Sequence, residues 1–145
     1  MTIVVGVDGS AGSLAALRFA LAEGRLRCEP VRLVHAWGFP AATTVSGPTG
    51  SAYAKLLRAS EDAARSAIDG ALAAVGGETD GLDLESVAVE GTPGRALVEE
   101  SDGATLLVVG SRGHGALAGR LLGSVGLQVV LHAHCPVAVV NTEGP

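Results

Sequence analysis

The sequence contains 145 residues, of which 48% are hydrophobic and only 3% are aromatic. This length suits a single domain over residues 1–145, with a core built mainly from Val, Leu and Ala. The formal net charge of −5 argues against a nucleic-acid or membrane partner, because both favour a basic surface. The sequence has no basic leader and no apolar run as long as a membrane span, so we expect a cytoplasmic protein.

Apolar runs alternate with helical patterns along the sequence. The first run, TIVVGV, is almost continuously β-branched, which is typical of a strand that is covered on both faces. Ser10 and Ser13 are candidate N-caps for the helix that follows. The predicted elements are a strand over 2–7, a helix ending near 24–27, a strand over 31–37, a helix over 51–75, a strand over 82–89, a helix within 91–101, a strand over 105–110, a helix within 124–134 and a strand over 136–140.

This alternation predicts an α/β fold. Strands that alternate with helices form parallel sheets through right-handed crossovers. We therefore predict a doubly wound parallel sheet. Ligands of such sheets bind beyond the carboxyl ends of the strands, at the point where the direction of winding reverses.

The stretch GSRGHGALAGRLLGS, over residues 110–124, is rich in glycine and follows the fourth predicted strand. Glycine permits positive φ and a close approach of backbone N–H groups to a ligand, and a helix N-terminus presents unpaired donors. Arg112 adds a guanidinium group, while Ser124 adds a hydroxyl group and a candidate N-cap. These features favour a phosphate site. The alternative is a purely structural connection between the strand and the helix.

Two common phosphate-binding motifs do not fit. A P-loop requires a lysine after its second glycine, where this sequence has Ala116. A dinucleotide-binding fingerprint follows the first strand, but the sequence has Asp8 there, and a carboxylate repels phosphate. Asp8 suits a sugar hydroxyl or a base edge, which would place the nucleoside near the first two strands. The alternative is that Asp8 only stabilises a turn or caps a helix.

The other polar residues predict neither a metal site nor a catalytic centre. His132 and His134 precede Cys135, but side chains two positions apart on a helix point in different directions. We interpret His35 as a hydrogen-bonded histidine of the second strand and leave two alternatives, phosphate or solvent, for His114. No Ser-His-Asp set or carboxylate pair is recognisable, and the two cysteines are interpreted as free, mostly buried thiols.

Four segments together resemble the universal stress protein family over nearly the whole sequence. They are Val-Gly-x-Asp-Gly-Ser after the first strand, Leu-Val-His-Ala in the second, GSRGHGALAGRLLGSV, and His-Cys-Pro-Val-Ala-Val-Val at the end. The ATP-binding branch of that family carries Gly-x2-Gly-x9-Gly-[Ser/Thr]. This sequence matches the spacing at Gly110, Gly113, Gly123 and Ser124.

The resemblance implies a single three-layer α/β/α domain with a five-stranded, Rossmann-like parallel sheet that binds ATP with Mg²⁺. It implies that Asp8 and Ala36 hold the adenosine end of the nucleotide. It further implies that the ribose and the phosphates are surrounded by Gly110, Arg112, Gly113, Gly123, Ser124 and Val125. The sequence departs from the family at Gly126, where many members carry Ser, so a hydroxyl group is absent near the γ-phosphate or the metal ion.

The resemblance also implies a homodimer that is joined through the last strand. Because an exposed terminal strand must be covered or paired, we expect Val137, Val139 and Val140 in the contact. We predict an ATP-binding regulatory protein of the stress response, which acts through nucleotide occupancy on an unidentified regulatory protein partner and is not an enzyme. The alternatives are a nucleotide-free interaction module of the same fold and a slow ATPase.

Overall fold

The computed structural model describes residues 1–38, 51–112 and 122–142. The strands within these ranges are β1 (Ile3–Gly6), β2 (Val31–Trp37), β3 (Leu84–Glu90), β4 (Leu106–Gly110) and β5 (Val137–Val140). The helices are α1 (Ala11–Arg27), α2 (Ser51–Val75), α3 (Pro93–Glu100) and α4 (Ser124–His132). Each predicted strand and helix is present, with small differences in its bounds.

The strands form one parallel sheet in the order β3-β2-β1-β4-β5. β1 lies at the centre, where Ile3 pairs with Val31 of β2 on one side and with Leu106 of β4 on the other. The chain therefore winds towards β3 first and later towards β5, so the winding reverses between β1 and β4. The prediction of a doubly wound, five-stranded parallel sheet is confirmed.

Each face of the sheet carries its own hydrophobic core, because successive side chains of a strand point to opposite faces. One core joins the sheet to α1 and α2, and the other joins it to α3 and α4. Buried members are Val5, Leu17 and Ile68 in the first core and Val4, Leu97 and Val129 in the second. The predicted three-layer arrangement follows, with helices on both sides of the sheet.

Local hydrogen bonds explain the bounds of α1 and β3. Ser10 caps α1, as predicted, because its Oγ accepts a hydrogen bond from the Ser13 N–H at 3.1 Å. β3 begins at Leu84 instead of the predicted Leu82, because the Leu82 N–H donates to Thr79 O at 3.1 Å and still belongs to the preceding turn. That turn contains a short 3₁₀ helix, Gly76–Thr79.

The helices differ from membrane-spanning helices in their charge pattern. α2 has 25 residues, which is long enough for a bilayer, but it carries Arg58, Glu61 and Arg65 in its middle. Within the described ranges, no helix is both long and apolar enough to cross a membrane. The cytoplasmic location stays a prediction.

Candidate functional site

The loop after β1 holds the Asp8 carboxylate in a turn at the start of α1. Asp8 Oδ1 accepts a hydrogen bond from the Ser10 N–H at 2.8 Å and a second one from the Ser10 hydroxyl group. The Asp8 N–H donates to Ser13 Oγ at 3.2 Å. Gly9 has a φ of 82°, which glycine adopts without strain. Asp8 therefore stabilises this turn, whereas the N-cap of α1 is Ser10. The predicted contact of Asp8 with a nucleoside stays a prediction.

The end of β2 lies beside this loop. The Val7 N–H donates to Val34 O at 2.9 Å, so the pairing of β1 with β2 continues beyond the last residue of β1. Ala36 lies next to the last residue of β2, Trp37, at the carboxyl end of that strand. His35 Nδ1 lies 2.6 Å from Val7 O and donates to it, because a carbonyl oxygen can only accept. The prediction of a hydrogen-bonded histidine is confirmed.

Gly110, the last residue of β4, lies against the first turn of α1. A Cβ atom at Gly110 would be only 2.6 Å from the carbonyl oxygen of Gly12. Gly110 does not have a positive φ. The conformational freedom that we invoked for the glycine-rich stretch is therefore not used at this position. A side chain is excluded here because two backbone segments pass close to each other.

The two ends of the glycine-rich stretch are held together by the backbone of Ser111. The Ser111 N–H donates to Val140 O at 2.9 Å, which extends the pairing of β4 with β5. Ser111 O accepts a hydrogen bond from the Gly123 N–H at 2.7 Å. Ser111 is only 4% exposed, so this junction is buried. Gly110 and Gly123, far apart in sequence, consequently lie at the same edge of the sheet.

Arg112 leads from this junction into the glycine-rich stretch. It is half-buried, and its carbonyl oxygen faces Gly12 so closely that a Cβ atom at Gly12 would clash with it. Gly113 and His114 lie outside the described residues, so their roles stay predictions.

The start of α4 corrects one prediction. The N-cap is Gly123, with φ −74° and ψ 174°, and Ser124 is the first helical residue with an exposed side chain. Gly123 holds the cap position because its carbonyl oxygen accepts the hydrogen bond from the Leu127 N–H at 2.9 Å. Val125 packs against the second core, and its predicted role at the phosphates stays a prediction. The N–H groups of a first helical turn have no partners within the helix.

Gly126 is buried behind the start of α4. A Cβ atom there would lie 2.7 Å from Leu122 Cδ1 and 3.8 Å from Gly110 O. The Leu122 side chain therefore occupies the space into which a serine side chain would point. At position 126 the chain therefore lacks the serine hydroxyl group of the family motif, and the apolar side chain of Leu122 lies in its place.

The histidines and cysteines near the end of the chain are separated by the end of α4. His132 is the last residue of the helix, whereas the His134 N–H donates to Ser101 Oγ at 2.9 Å. Within the described ranges, no three His, Cys, Asp or Glu side chains are placed to hold one metal ion. Both cysteines are free, as predicted. Cys135 is half-buried, and burial raises the pKa of its thiol. Cys28 is exposed, so the predicted burial of Cys28 is wrong.

Two residues of this edge were missed by the sequence analysis. Gly12 lies in the first turn of α1, where glycine is about 1 kcal/mol less favourable than alanine, and no helical pattern explains it. A glycine without a helical reason was the sequence signal that another segment packs closely against this turn. Ser111 acts through its backbone N–H and carbonyl groups, which any residue carries, so its identity gave no signal.

The fold and this edge together define a doubly wound α/β protein whose loops after β1 and β4 meet at the reversal point of the sheet. The chain belongs to the universal stress protein family, whose sequence model matches residues 1–141. The resemblance that was based on the four segments is therefore confirmed.

Known relatives agree with this assignment. A universal stress protein of Mycolicibacterium smegmatis is 40% identical over 144 residues, which cover 97% of this chain and 48% of that protein. The chain thus spans about half the length of the curated relatives that it matches. A universal stress protein solved in complex with cAMP is 34% identical, with a TM-score of 0.64 and coverage of 99% of this chain and 98% of that one. Another, from Archaeoglobus fulgidus in complex with dAMP, is 29% identical, with a TM-score of 0.57 and coverage of 96% of both chains.

The two helix starts should respond differently to the loss of a hydroxyl group. Ser10→Ala removes the cap of α1 and a donor to Asp8, so we expect the free energy of unfolding to fall by about 1 kcal/mol. Ser124→Ala should change it by less than about 0.5 kcal/mol, because Ser124 is exposed and is not the cap. Urea denaturation of both variants measures the difference. Equal losses would contradict the assignment of the caps.

Proposed function

We propose that this chain binds ATP, together with Mg²⁺, at the carboxyl end of the sheet between β1 and β4. We propose that it acts as a regulatory protein of the stress response. The observation that carries the proposal is the junction at Ser111, whose carbonyl oxygen accepts from the Gly123 N–H at 2.7 Å. This junction brings the start of α4 to the carboxyl end of β4. The contact of Gly12 with Gly110 brings the Asp8 loop to the same place.

The adenosine end of ATP is assigned to the loop after β1 and the end of β2. A nucleoside carries hydroxyl and amino groups that donate hydrogen bonds, and the carboxylate of Asp8 accepts them. Hydrogen bonds from Ser10 fix the orientation of that carboxylate. Ala36, at the carboxyl end of β2, leaves room for a base because its side chain is small.

The phosphate end is assigned to the other half of the edge. The first turn of α4 supplies backbone N–H groups and the positive end of a helix dipole, and Arg112 supplies a guanidinium group. Gly110, Gly113, Gly123, Ser124 and Val125 complete the proposed ribose and phosphate site. The relatives that were solved with cAMP and dAMP support an adenine nucleotide as the class of ligand.

We propose further that nucleotide occupancy, and not turnover, transmits the signal to an unidentified regulatory partner. Fast phosphoryl transfer needs a group that orients the attacking water, besides groups that stabilise the developing charge. The carboxylate of Asp8 is assigned to the adenosine end of the proposed site, where Ser10 engages its Oδ1. It is therefore not proposed to orient a water molecule at the phosphates.

Two substitutions test the two ends of the site. Gly123→Val adds bulk where the backbone is proposed to approach phosphate, and the φ of −74° and ψ of 174° suit any residue, so the fold should survive. Asp8→Asn keeps an oxygen that accepts from Ser10 but removes the charge. We expect Gly123→Val to abolish ATP binding in titration calorimetry and Asp8→Asn to weaken adenosine binding. Gly123→Val should also lose the thermal stabilisation that ATP gives the parent.

Gly70→Val is the matched control, because a Cβ atom at Gly70 in α2 meets nothing within 4 Å. It should bind ATP as the parent does. If Gly123→Val and Asp8→Asn also bind as tightly as the parent, the glycine-rich stretch is a structural connection and ATP binds elsewhere. If the parent itself does not bind ATP, the nucleotide-free interaction module is the better account. Tighter binding of AMP or cAMP than of ATP would keep the nucleotide site but overturn ATP as its ligand.

The absence of fast turnover is a separate prediction. With saturating ATP and Mg²⁺, phosphate release should stay close to the rate of the same buffer without protein. A multiple-turnover phosphate assay measures it, with the Gly123→Val variant as the control for a contaminating ATPase. Sustained release on the order of 1 per second or faster, lost in that variant, would place the protein among enzymes.

We also propose a homodimer that is joined through β5. β5 is an edge strand, and its pairing within the described part of the chain is with β4 alone. Its side chains already pack inwards, since Val137 and Val139 join the second core and Val140 joins the first. The partner would therefore meet the strand's free backbone edge together with the neighbouring face of α4. That face exposes Leu127, Val130 and Leu131 by 52%, 50% and 66%.

Charges on this face should separate the two copies. A charge at Val139 would also disturb the fold, because that side chain packs against the second core. The test is therefore the double substitution of the exposed residues, Val130→Lys with Leu131→Lys. Lysines near a helix C-terminus are compatible with the helix dipole, so the variant should fold and run as a monomer in sizing chromatography. Leu26→Lys, on the exposed face of α1, is the control and should remain dimeric. A dimer that survives the double substitution would place the interface elsewhere.

A further inference from the structure

The first turn of α1 and the end of β4 approach each other with their backbones at Gly12 and Gly110. A Cβ atom at Gly110 would lie 2.6 Å from Gly12 O and 2.7 Å from Gly12 C. A Cβ atom at Gly12 would clash with Arg112 O and lie 3.2 Å from Arg112 C. There is therefore no space for a side chain at Gly12 or at Gly110.

We propose that Gly12 is a positioning residue, which sets the distance between the adenosine end and the phosphate end of the nucleotide site. The inference rests on the proposed function and names a residue that the family motif does not contain. Gly12 is not expected to touch the nucleotide. It acts by allowing Arg112 to leave the sheet directly against α1.

Neither side of the contact can move away cheaply. The residue before Arg112 is Ser111, whose backbone is fixed to Val140 and to Gly123 by hydrogen bonds of 2.9 and 2.7 Å. The residue before the first turn of α1 is Ser10, which is bound to Asp8. By contrast, added Cβ atoms at several other glycines meet side chains, which can rotate.

An added methyl group at Gly12 therefore has two outcomes, and both change the site. Either the Arg112 peptide rotates, or the first turn of α1 moves away from β4. In the first case the phosphate end moves, and in the second the Asp8 loop moves with the helix that Ser10 caps. A ligand that spans both ends would lose affinity in either case, whereas a ligand held at the Asp8 end alone would lose little when the Arg112 peptide rotates.

Comparison of ATP with adenosine tests this effect. In Gly12→Ala, ATP should bind roughly tenfold more weakly than in the parent, while adenosine binding stays within about twofold, so that the preference for ATP falls. Titration calorimetry with both ligands measures the two affinities. A role of Gly12 in the fold alone would leave the ratio of the two affinities unchanged.

Gly24→Ala is the matched control on the same helix. A Cβ atom at Gly24 would lie 2.6 Å from Val31 Cγ2, so the substitution also crowds α1, but at its far end. It should lower the melting temperature and keep the parent's preference for ATP. Gly70→Ala, without a neighbour within 4 Å, should keep both the melting temperature and the preference.

The outcomes separate this inference from the function on which it rests. If the parent binds neither ligand, or binds ATP no more tightly than adenosine, the proposed function fails and the inference with it. If the parent prefers ATP and Gly12→Ala keeps that preference, the inference alone is overturned. If Gly12→Ala does not fold, Gly110→Ala probes the same contact from the other side. Should neither variant unfold cooperatively while Gly24→Ala does, the contact serves folding and the inference is wrong.

Discussion

The central position of β1 in a parallel sheet determines where the remaining parts of this molecule meet. β1 is flanked by β2 and β4, so the chain has to leave it in one direction and return on the other side. Parallel strands end at one common edge, and the loops that follow β1 and β4 therefore face each other across the reversal point. The Asp8 loop and the Ser111 junction occupy these two positions. The proposed nucleotide site lies between these two positions.

Close packing of backbone segments fixes the positions of the loops after β1 and β4 relative to each other. Two glycines, Gly12 and Gly110, let α1 approach β4 more closely than any side chain would permit. Ser111 then ties the end of β4 to β5 and to the start of α4. The edge is thus built from backbone hydrogen bonds and backbone contacts, with Asp8 and Arg112 as its charged side chains. Such an arrangement suits binding through N–H groups, which are strong donors wherever they lack a partner in the protein.

Most of the fold was predictable because its elements are buried in a regular way. Strands covered on both faces are apolar throughout, and α2 repeats its apolar residues at helical spacing, so both patterns are visible in the sequence. The glycine spacing from Gly110 to Gly123 also predicted which segments lie at the reversal point. Bounds were less accurate, since the start of β3 depends on one hydrogen bond in the preceding turn.

The reasons for individual glycines could not be read from the sequence. A missing Cβ serves a positive φ at Gly9 and a backbone contact at Gly12, whereas Gly123 is an N-cap with a φ and ψ that suit any residue, and the three cases look alike in the sequence. Contacts between segments that are distant in sequence decide among them. The same limit explains Ser124, which resembles a cap residue but lies one position inside the helix.

A crystal structure of this chain with Mg²⁺ and a non-hydrolysable ATP analogue would test the central claim most directly. The account predicts one ordered nucleotide, with its adenosine end at Asp8 and Ala36 and its phosphates between Arg112 and the first turn of α4. The Ser111 junction should be present in that complex, because it consists of backbone hydrogen bonds within the fold. A nucleotide bound elsewhere, or an edge that stays empty at high nucleotide concentration, would contradict the account.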